Sequence, residues 1–177
     1  MAAFPTGVSI VTAASRDGAN WGMTCTSLCS VSLNPPVLLV CLRSASPTLN
    51  AVRESSLFAV NLLHAQSRPT AELFASGAPD RFERVAWDAH DGAAGPHLSF
   101  SSHSIADCAV IGTQVVGDHT VVLGKVDVVT QLRSEQPLLY GMRRYASWPA
   151  AQDPEFVKNF TRGPGQAGYV SDPEDAQ

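Results

Sequence analysis

Short β-type runs dominate the pattern of apolar and polar positions along this chain. GVSIVTA (7–13) alternates and is rich in β-branched residues, as a strand with one covered face requires. RDGAN (16–20) follows with Asp-Gly turn chemistry. GMTCTSLCSVSL (22–33) reads as one long extended segment studded with hydroxyls, and NPP (34–36) breaks it. VLLVCL (37–42) is continuously apolar, which predicts a strand buried on both faces. LFAVNLL (57–63), DCAVIGTQVV (107–116), TVVLGKVDVV (120–129) and PLLY (137–140) complete the set of predicted strands.

Two helical pieces interrupt the strands. Ser46 before Pro47 has the form of an N-cap followed by proline at the first helical position, opening SPTLNAVRES. RPTAELFAS (68–76) reads as a second helix begun by Pro69. Both are short, so tertiary packing must hold them. Many short strands with two inserted helices predict a closed or nearly closed β-barrel. A doubly wound sheet would need a regular strand–helix alternation that is absent. Residues 77–97 read as a long surface loop, a class that often carries function. The expected organisation is one domain over 1–148 and a Pro/Gly/Asp-rich tail over 149–177.

Composition narrows the partners. A chain of 177 residues is long enough for a real core, since a domain of this size buries roughly 70% of its unfolded surface. Charged residues are only 16% of the chain, which predicts that part of the surface is covered by a second subunit. The net charge of −4, with no Lys/Arg run, argues against nucleic acid. No apolar stretch is long enough to span a bilayer, and the first fifteen residues lack the form of a signal peptide. The four cysteines, at 25, 29, 41 and 108, form no CxxC pair, so no disulfide and no structural zinc are expected, and the expected location is the cytoplasm.

Four stretches carry candidate chemistry. Thr24, Thr26, Ser27, Ser30 and Ser32 crowd an otherwise apolar segment with hydroxyls that need partners once buried. Those partners are either the neighbouring backbone or a polar ligand such as a phosphate, a ribityl chain or a flavin edge. In RSASPT (43–48), Arg43, Ser44, Ser46 and Thr48 surround a helix start, which either caps the helix or binds an anion. Arg81 beside Phe82 is either a surface arginine next to a core phenylalanine or a phosphate clamp with a ring to pack on. His119 follows the Gly-Asp of a predicted hairpin, at the mouth of a barrel, where an imidazole is either an ordinary turn residue or a proton donor to a ligand. DAHDG (88–92) offers three potential ligands, but the other histidines show no metal spacing and no metal is assigned. The usual phosphate-loop, dinucleotide, nucleophile-elbow and zinc-protease motifs are missing.

In order, FPTGVSIVTA, GMTCTSLCSVSLNPPVLLVCL, SPT, FAVNLL, LFA, RF, GDHTVVLGKV and PLLYGMRRY resemble the flavin reductase-like family over Phe4 to Tyr145. These are small NAD(P)H:flavin oxidoreductases that serve two-component flavin monooxygenases. The resemblance implies a mainly β fold, the Greek-key FMN-binding split barrel with a few short helices, working as a homodimer. It implies binding of FAD or FMN, and of NADH with NADPH as the other option. It implies that Thr24, Cys25, Thr26, Ser27, Ser30, Val31 and Ser32 line the isoalloxazine and ribityl chain. Cys41, Leu42, Arg43, Ser44, Ser46 and Thr48 would continue along the ribityl and phosphate. Phe74, Ala75, Arg81 and Phe82 would lie on the outer, phosphate or adenine side. His119 would sit beside the nicotinamide as the catalytic residue, and Tyr140, Arg143, Arg144 and Tyr145 would close over the dinucleotide. A separate monooxygenase would receive the reduced flavin. A non-catalytic flavin carrier on the same barrel is the alternative, and it has no need of His119. An oxidase of pyridoxal-type substrates would want a basic phosphate cluster, whereas the 12 Lys/Arg are scattered.

Overall fold

The computed structural model describes residues 2–133 and 135–148; the predicted tail, 149–177, lies outside the described residues. The strands are β1 (Thr6–Gly7), β2 (Ser9–Ala14), β3 (Asn20–Cys25), β4 (Cys29–Leu33), β5 (Pro36–Arg43), β6 (Leu57–Leu63), β7 (Ser102–Val116), β8 (His119–Gln131), β9 (Leu138–Gly141) and β10 (Arg144–Ser147). Helix α1 spans Pro47–Ser55 and α2 spans Arg68–Ser76, with a 3₁₀ turn at Ala65–Ser67 leading into α2. Seven strands form one antiparallel sheet in the order β3-β2-β6-β7-β8-β5-β4, and β1-β9-β10 form a second.

The two edges of the large sheet are β3 and β4, which are consecutive in the chain and joined by residues 26–28. Those residues carry the chain from one edge to the other. Ser27 seals the closure from its side chain: its Oγ accepts the Cys41 N–H at 3.0 Å and donates to the Cys41 carbonyl at 3.1 Å. The result is the nearly closed barrel expected from the strand pattern, of the split-barrel kind that the family resemblance implies. The expected single strand over 22–33 is two strands, because one straight run cannot lie on both edges of the same sheet.

Strand alternation builds the core. On β2, Val11 and Ala13 point into a cluster with Val40, Leu42, Phe58, Val60 and Val122. Val8 and Ile10 point the other way, into a second cluster with Leu63, Phe74, Leu98 and Leu138 beneath α2. Helix α1 adds Leu49 and Val52 to the first cluster, one turn apart. The run 37–42 is less buried than expected. Val37, Val40 and Leu42 are buried, but Leu38, Leu39 and Cys41 are half-covered, because β5 lies next to the edge strand β4.

The local signals hold where they are self-contained. Ser46 is the N-cap of α1, its Oγ accepting the Leu49 N–H at 3.1 Å, with Pro47 behind it. Ser46→Ala is expected to cost about 1 kcal/mol, read as a fall of about 2–4 °C in thermal midpoint; an unchanged midpoint would remove the cap from the account. Gly117, at φ 59°, and Asp118 make the two-residue loop between β7 and β8, with Val116 paired to His119. Strand β7 begins five residues before the apolar signal, since its first turns, Ser102 to Ala106, mix hydroxyls and a histidine with the apolar residues.

The loop over 77–97 is not purely a surface loop. Its end folds inward, and Ala94, Gly95, Pro96, His97 and Leu98 are buried. Thr12 Oγ1 donates to the Pro96 carbonyl at 2.6 Å, and Asn61 Oδ1 accepts the Leu98 N–H at 2.7 Å. Asp107 on β7 accepts the Ala94 N–H at 2.7 Å and pairs with His97 Nε2 at 2.9 Å. Burial pushes the Asp107 carboxyl up, but the His97 and Ala94 bonds outweigh it and hold the group below its ordinary value. A depressed carboxyl stabilises the fold above the ordinary carboxylate range, and that contribution disappears as pH falls through the lowered value. Asp107→Asn should therefore be less stable than wild type at neutral pH, with the gap closing below about pH 4. Urea unfolding across pH checks this, and a gap that stays constant down to about pH 3 would refute it.

Candidate functional site

His119 opens β8 directly after the hairpin loop. The sheet register sets it opposite Arg43 at the end of β5 on one side and Val116 on the other. Its Nδ1 lies 2.8 Å from Asp118 Oδ1, and the ring is half-exposed. That bond, together with the attraction of the ring, holds the exposed Asp118 carboxyl below its usual range. Next to His119, Thr120 is buried and shares a hydrogen bond of 3.0 Å with Ser44, while Arg53 of α1 donates to the same hydroxyl at 3.3 Å. The Ser44 N–H donates to the Asp118 carbonyl. The end of β5, the start of α1 and the start of β8 thus form one rim, bringing together Arg43, Ser44, Ser46, Thr48 and His119.

Ser27 links the hydroxyl-bearing segment to that rim through Cys41. Thr24 faces elsewhere and donates to the Ala71 carbonyl of α2 at 2.7 Å. Both therefore use backbone partners within the chain, as one of the two open readings required. Thr26, Ser30 and Val31 are exposed and Ser32 is half-buried, the last three on edge strand β4. Cys25, Leu42, Thr48 and Phe74 have buried side chains, so any role in ligand contact falls to their backbone. Ala75 is exposed on α2.

A second set gathers around Arg81. This residue is buried with its guanidinium about 6 Å from three ring centroids, those of Trp21, Phe74 and Phe82. One Nη donates to the Ala78 carbonyl, and Nε has no hydrogen-bond partner among the described residues. Burial lowers its pKa from the ordinary arginine value, with no carboxylate among the causes. A buried cation lacking a countercharge is costly unless an anion joins it. Arg81 is therefore not the surface arginine of the alternative reading, although Phe82 does pack on the core. Trp21 was not singled out from the sequence, where it is one aromatic in an ordinary strand.

Tyr140 and Tyr145 face each other across the β9–β10 pair, ring centroids 5.1 Å apart, and pack against the same cluster as Phe82. Arg68 of α2 stands over the Tyr145 ring at 5.7 Å. Burial raises the Tyr145 phenol above its ordinary value. Arg143 lies in the tight loop between these strands with φ 58°, and Arg144 is exposed beside it. A separate cleft of about 220 Å³ opens at Thr26 between β1, β6 and β9, with Ser9, Leu62, His103 and Leu138 in its walls.

A half-open barrel with a polar rim, an imidazole on that rim and a buried guanidinium among aromatic rings is an arrangement suited to small phosphate-bearing aromatic molecules. Comparison with known proteins supplies the family. The model of the flavin reductase like domain matches residues 1–149. The chain is 51% identical over 148 residues to a flavin reductase (NADPH) of Lentzea aerocolonigenes, covering 84% of this chain and 86% of that protein. It is 33% identical over 142 residues to HsaB, the reductase subunit of a flavin-dependent monooxygenase of Rhodococcus jostii, covering 80% of this chain and 71% of the relative. The fold matches the NADH:FAD oxidoreductase SgcE6 of Streptomyces globisporus C-1027, solved with NAD and FAD fragments, at a TM-score of 0.79 and 30% identity, covering 86% of this chain and 90% of that one. The chain belongs to the flavin reductase-like family.

Proposed function

We propose that the protein is an NAD(P)H-dependent flavin reductase that reduces free FAD or FMN and supplies the reduced flavin to a partner monooxygenase. Its relatives include flavin reductases named for NADPH and for NADH and the reductase subunit of a flavin-dependent monooxygenase. The observation that carries the reading at the level of the site is Arg81, a buried cation with an unpartnered Nε among aromatic rings. That arrangement fits a phosphate beside a flat ring system.

The reaction is a hydride transfer from the nicotinamide to the flavin, and the two molecules supply its electronics. The chain's residues bind, orient and exclude water. Within the segment 24–32, the exposed Thr26, Ser30 and Val31, with half-buried Ser32, would line the flavin ring and ribityl chain. The rim of Arg43, Ser44, Ser46 and Thr48 would hold the phosphate end, with the exposed Arg43 guanidinium as its positive charge. Phe74, Ala75, Arg81 and Phe82 receive the outer portion. His119, oriented by Asp118, would place the nicotinamide against the flavin. Tyr140, Arg143, Arg144 and Tyr145 cover the dinucleotide. No nucleophile or paired carboxylates are needed.

Residues 1–148 form the catalytic unit in this reading, with 149–177 a C-terminal tail. Apolar side chains left exposed on β4, β7 and β8, among them Leu33, Ile111, Val115 and Val129, favour a homodimer that covers them. No helix among the described residues is long and apolar enough to cross a membrane, and a cytoplasmic location suits a reaction that uses the nicotinamide pool.

Purified protein mixed with NADH or NADPH and free FMN or FAD should consume the reduced nicotinamide without a third substrate. A protein that binds flavin yet ignores both nucleotides would support the carrier reading instead. Light scattering after gel filtration should give twice the chain mass, and a monomer at working concentration would end the dimer.

A further inference from the structure

The long loop holds a group of side chains that the flavin chemistry does not use. Asp88 and His97 face each other as an isolated antiparallel bridge, each N–H donating to the other's carbonyl at 2.9 and 2.8 Å. The His90 ring packs edge-on against His97 with centroids 4.7 Å apart. One ligating atom from each of Asp88, His90 and His97 lies within 4.8 Å of the other two.

His97 is already prepared as a ligand. Its side chain is 2% exposed, and Nε2 lies 2.9 Å from the Asp107 carboxylate. An ionised carboxylate only accepts, so Nε2 donates to it, and Nδ1 is the ring nitrogen that this bond leaves for a ligand. This carboxylate–histidine pairing fixes the ring and raises its basicity, as it does behind metal-bound histidines. Asp107 Oδ2 is buried with no partner among the described residues, which leaves negative charge in the interior beside the cluster. Asp88 is also oriented: its Oδ2 accepts the Ser99 hydroxyl at 2.6 Å. The backbone beneath is pinned to the barrel by Thr12 and Asn61.

We propose that Asp88, His90 and His97 bind one divalent ion of the zinc class, with water completing its shell, and that this ion staples the long loop to the barrel. Two imidazoles and a carboxylate are a borderline donor set that suits such ions over calcium or magnesium. Tetrahedral coordination needs ligand atoms about 3.3 Å apart, given metal–ligand bonds near 2.0–2.1 Å. The exposed Asp88 and His90 side chains can swing in to reach that spacing around the fixed His97. The site is structural. Asp107 lies nine residues along β7 from Val116, the partner of His119, which is roughly 30 Å of strand. The same loop carries Arg81 and Phe82, so fastening its far end also steadies them.

Full-length protein, stripped with a chelator and dialysed, is titrated with Zn²⁺ by calorimetry and with Co²⁺ by visible absorption. One Zn²⁺ per chain should bind and raise the thermal midpoint. The Co²⁺ complex should show ligand-field bands without thiolate charge transfer, which separates this site from exposed Cys29. His90→Ala and Asp88→Asn should each weaken Zn²⁺ binding about tenfold or more, while His103→Gln leaves it unchanged. Both key substitutions fall on exposed side chains, so the apo variants should unfold near the wild-type temperature. Absence of saturable binding at one equivalent, or binding that survives both substitutions, overturns the proposal. Neither outcome bears on flavin reduction, which is assayed separately.

Discussion

His119→Ala is expected to slow NAD(P)H oxidation by free flavin by about tenfold to a hundredfold, the range a misplaced reacting partner produces. Flavin affinity, followed by quenching of flavin fluorescence, should change far less. The split follows from position. His119 stands at the barrel mouth between Arg43 and the hairpin loop, half-exposed, with one ring nitrogen tied to Asp118. Nothing in the core depends on it, so the variant should fold. Asp118→Asn keeps an oxygen for the ring but not the charge, and should reproduce part of the loss. A variant with wild-type turnover would remove His119 from the reaction.

Gly95→Ala should destabilise the protein by about 3 kcal/mol, as overpacking against immovable atoms does. For a chain of this size that is a drop of roughly 6–12 °C in thermal midpoint. A Cβ at Gly95 would sit 2.5 Å from the Thr12 carbonyl oxygen and 3.2 Å from the Ala13 Cα, all backbone of strand β2, which is paired on both sides by β3 and β6. Neither side can yield without breaking the loop's anchorage at Pro96 and Leu98. Gly7→Ala is the control: its Cβ meets open space, and the change should stay within about 0.5 kcal/mol. Equal effects at the two positions would show that the loop does not press on β2 as described.

Much of the site was legible because its signals are short. Ser46 and Pro47 announce a helix start, and Gly117–Asp118 announces a hairpin that must place His119 at a strand mouth. Arg43 could be named from its place at the end of an apolar run. Its pairing with His119 could not, since the register joins residues 76 apart in the chain. Trp21 was invisible as a partner of Arg81 for the same reason. Ser27 drew notice as one hydroxyl among many, but its neighbour at Cys41 is known only once the barrel has closed. DAHDG drew no metal assignment because the third member of the proposed ligand set, His97, and the carboxylate behind it, Asp107, stand outside the motif.

The amino-acid sequence alone determined the period of each strand, the two helix starts, the tight turns and the ordered set of motifs. Those rest on interactions between residues a few positions apart, which the chain carries with it in any conformation. The tertiary structure alone decided which hydroxyls were satisfied by backbone, that Arg81 would be buried without a counterion among the described residues, and that the long loop would turn inward at Gly95. These depend on which strands become neighbours when the sheet closes on itself, and burial then fixes the charge and hydrogen-bond partners of side chains far apart in the chain.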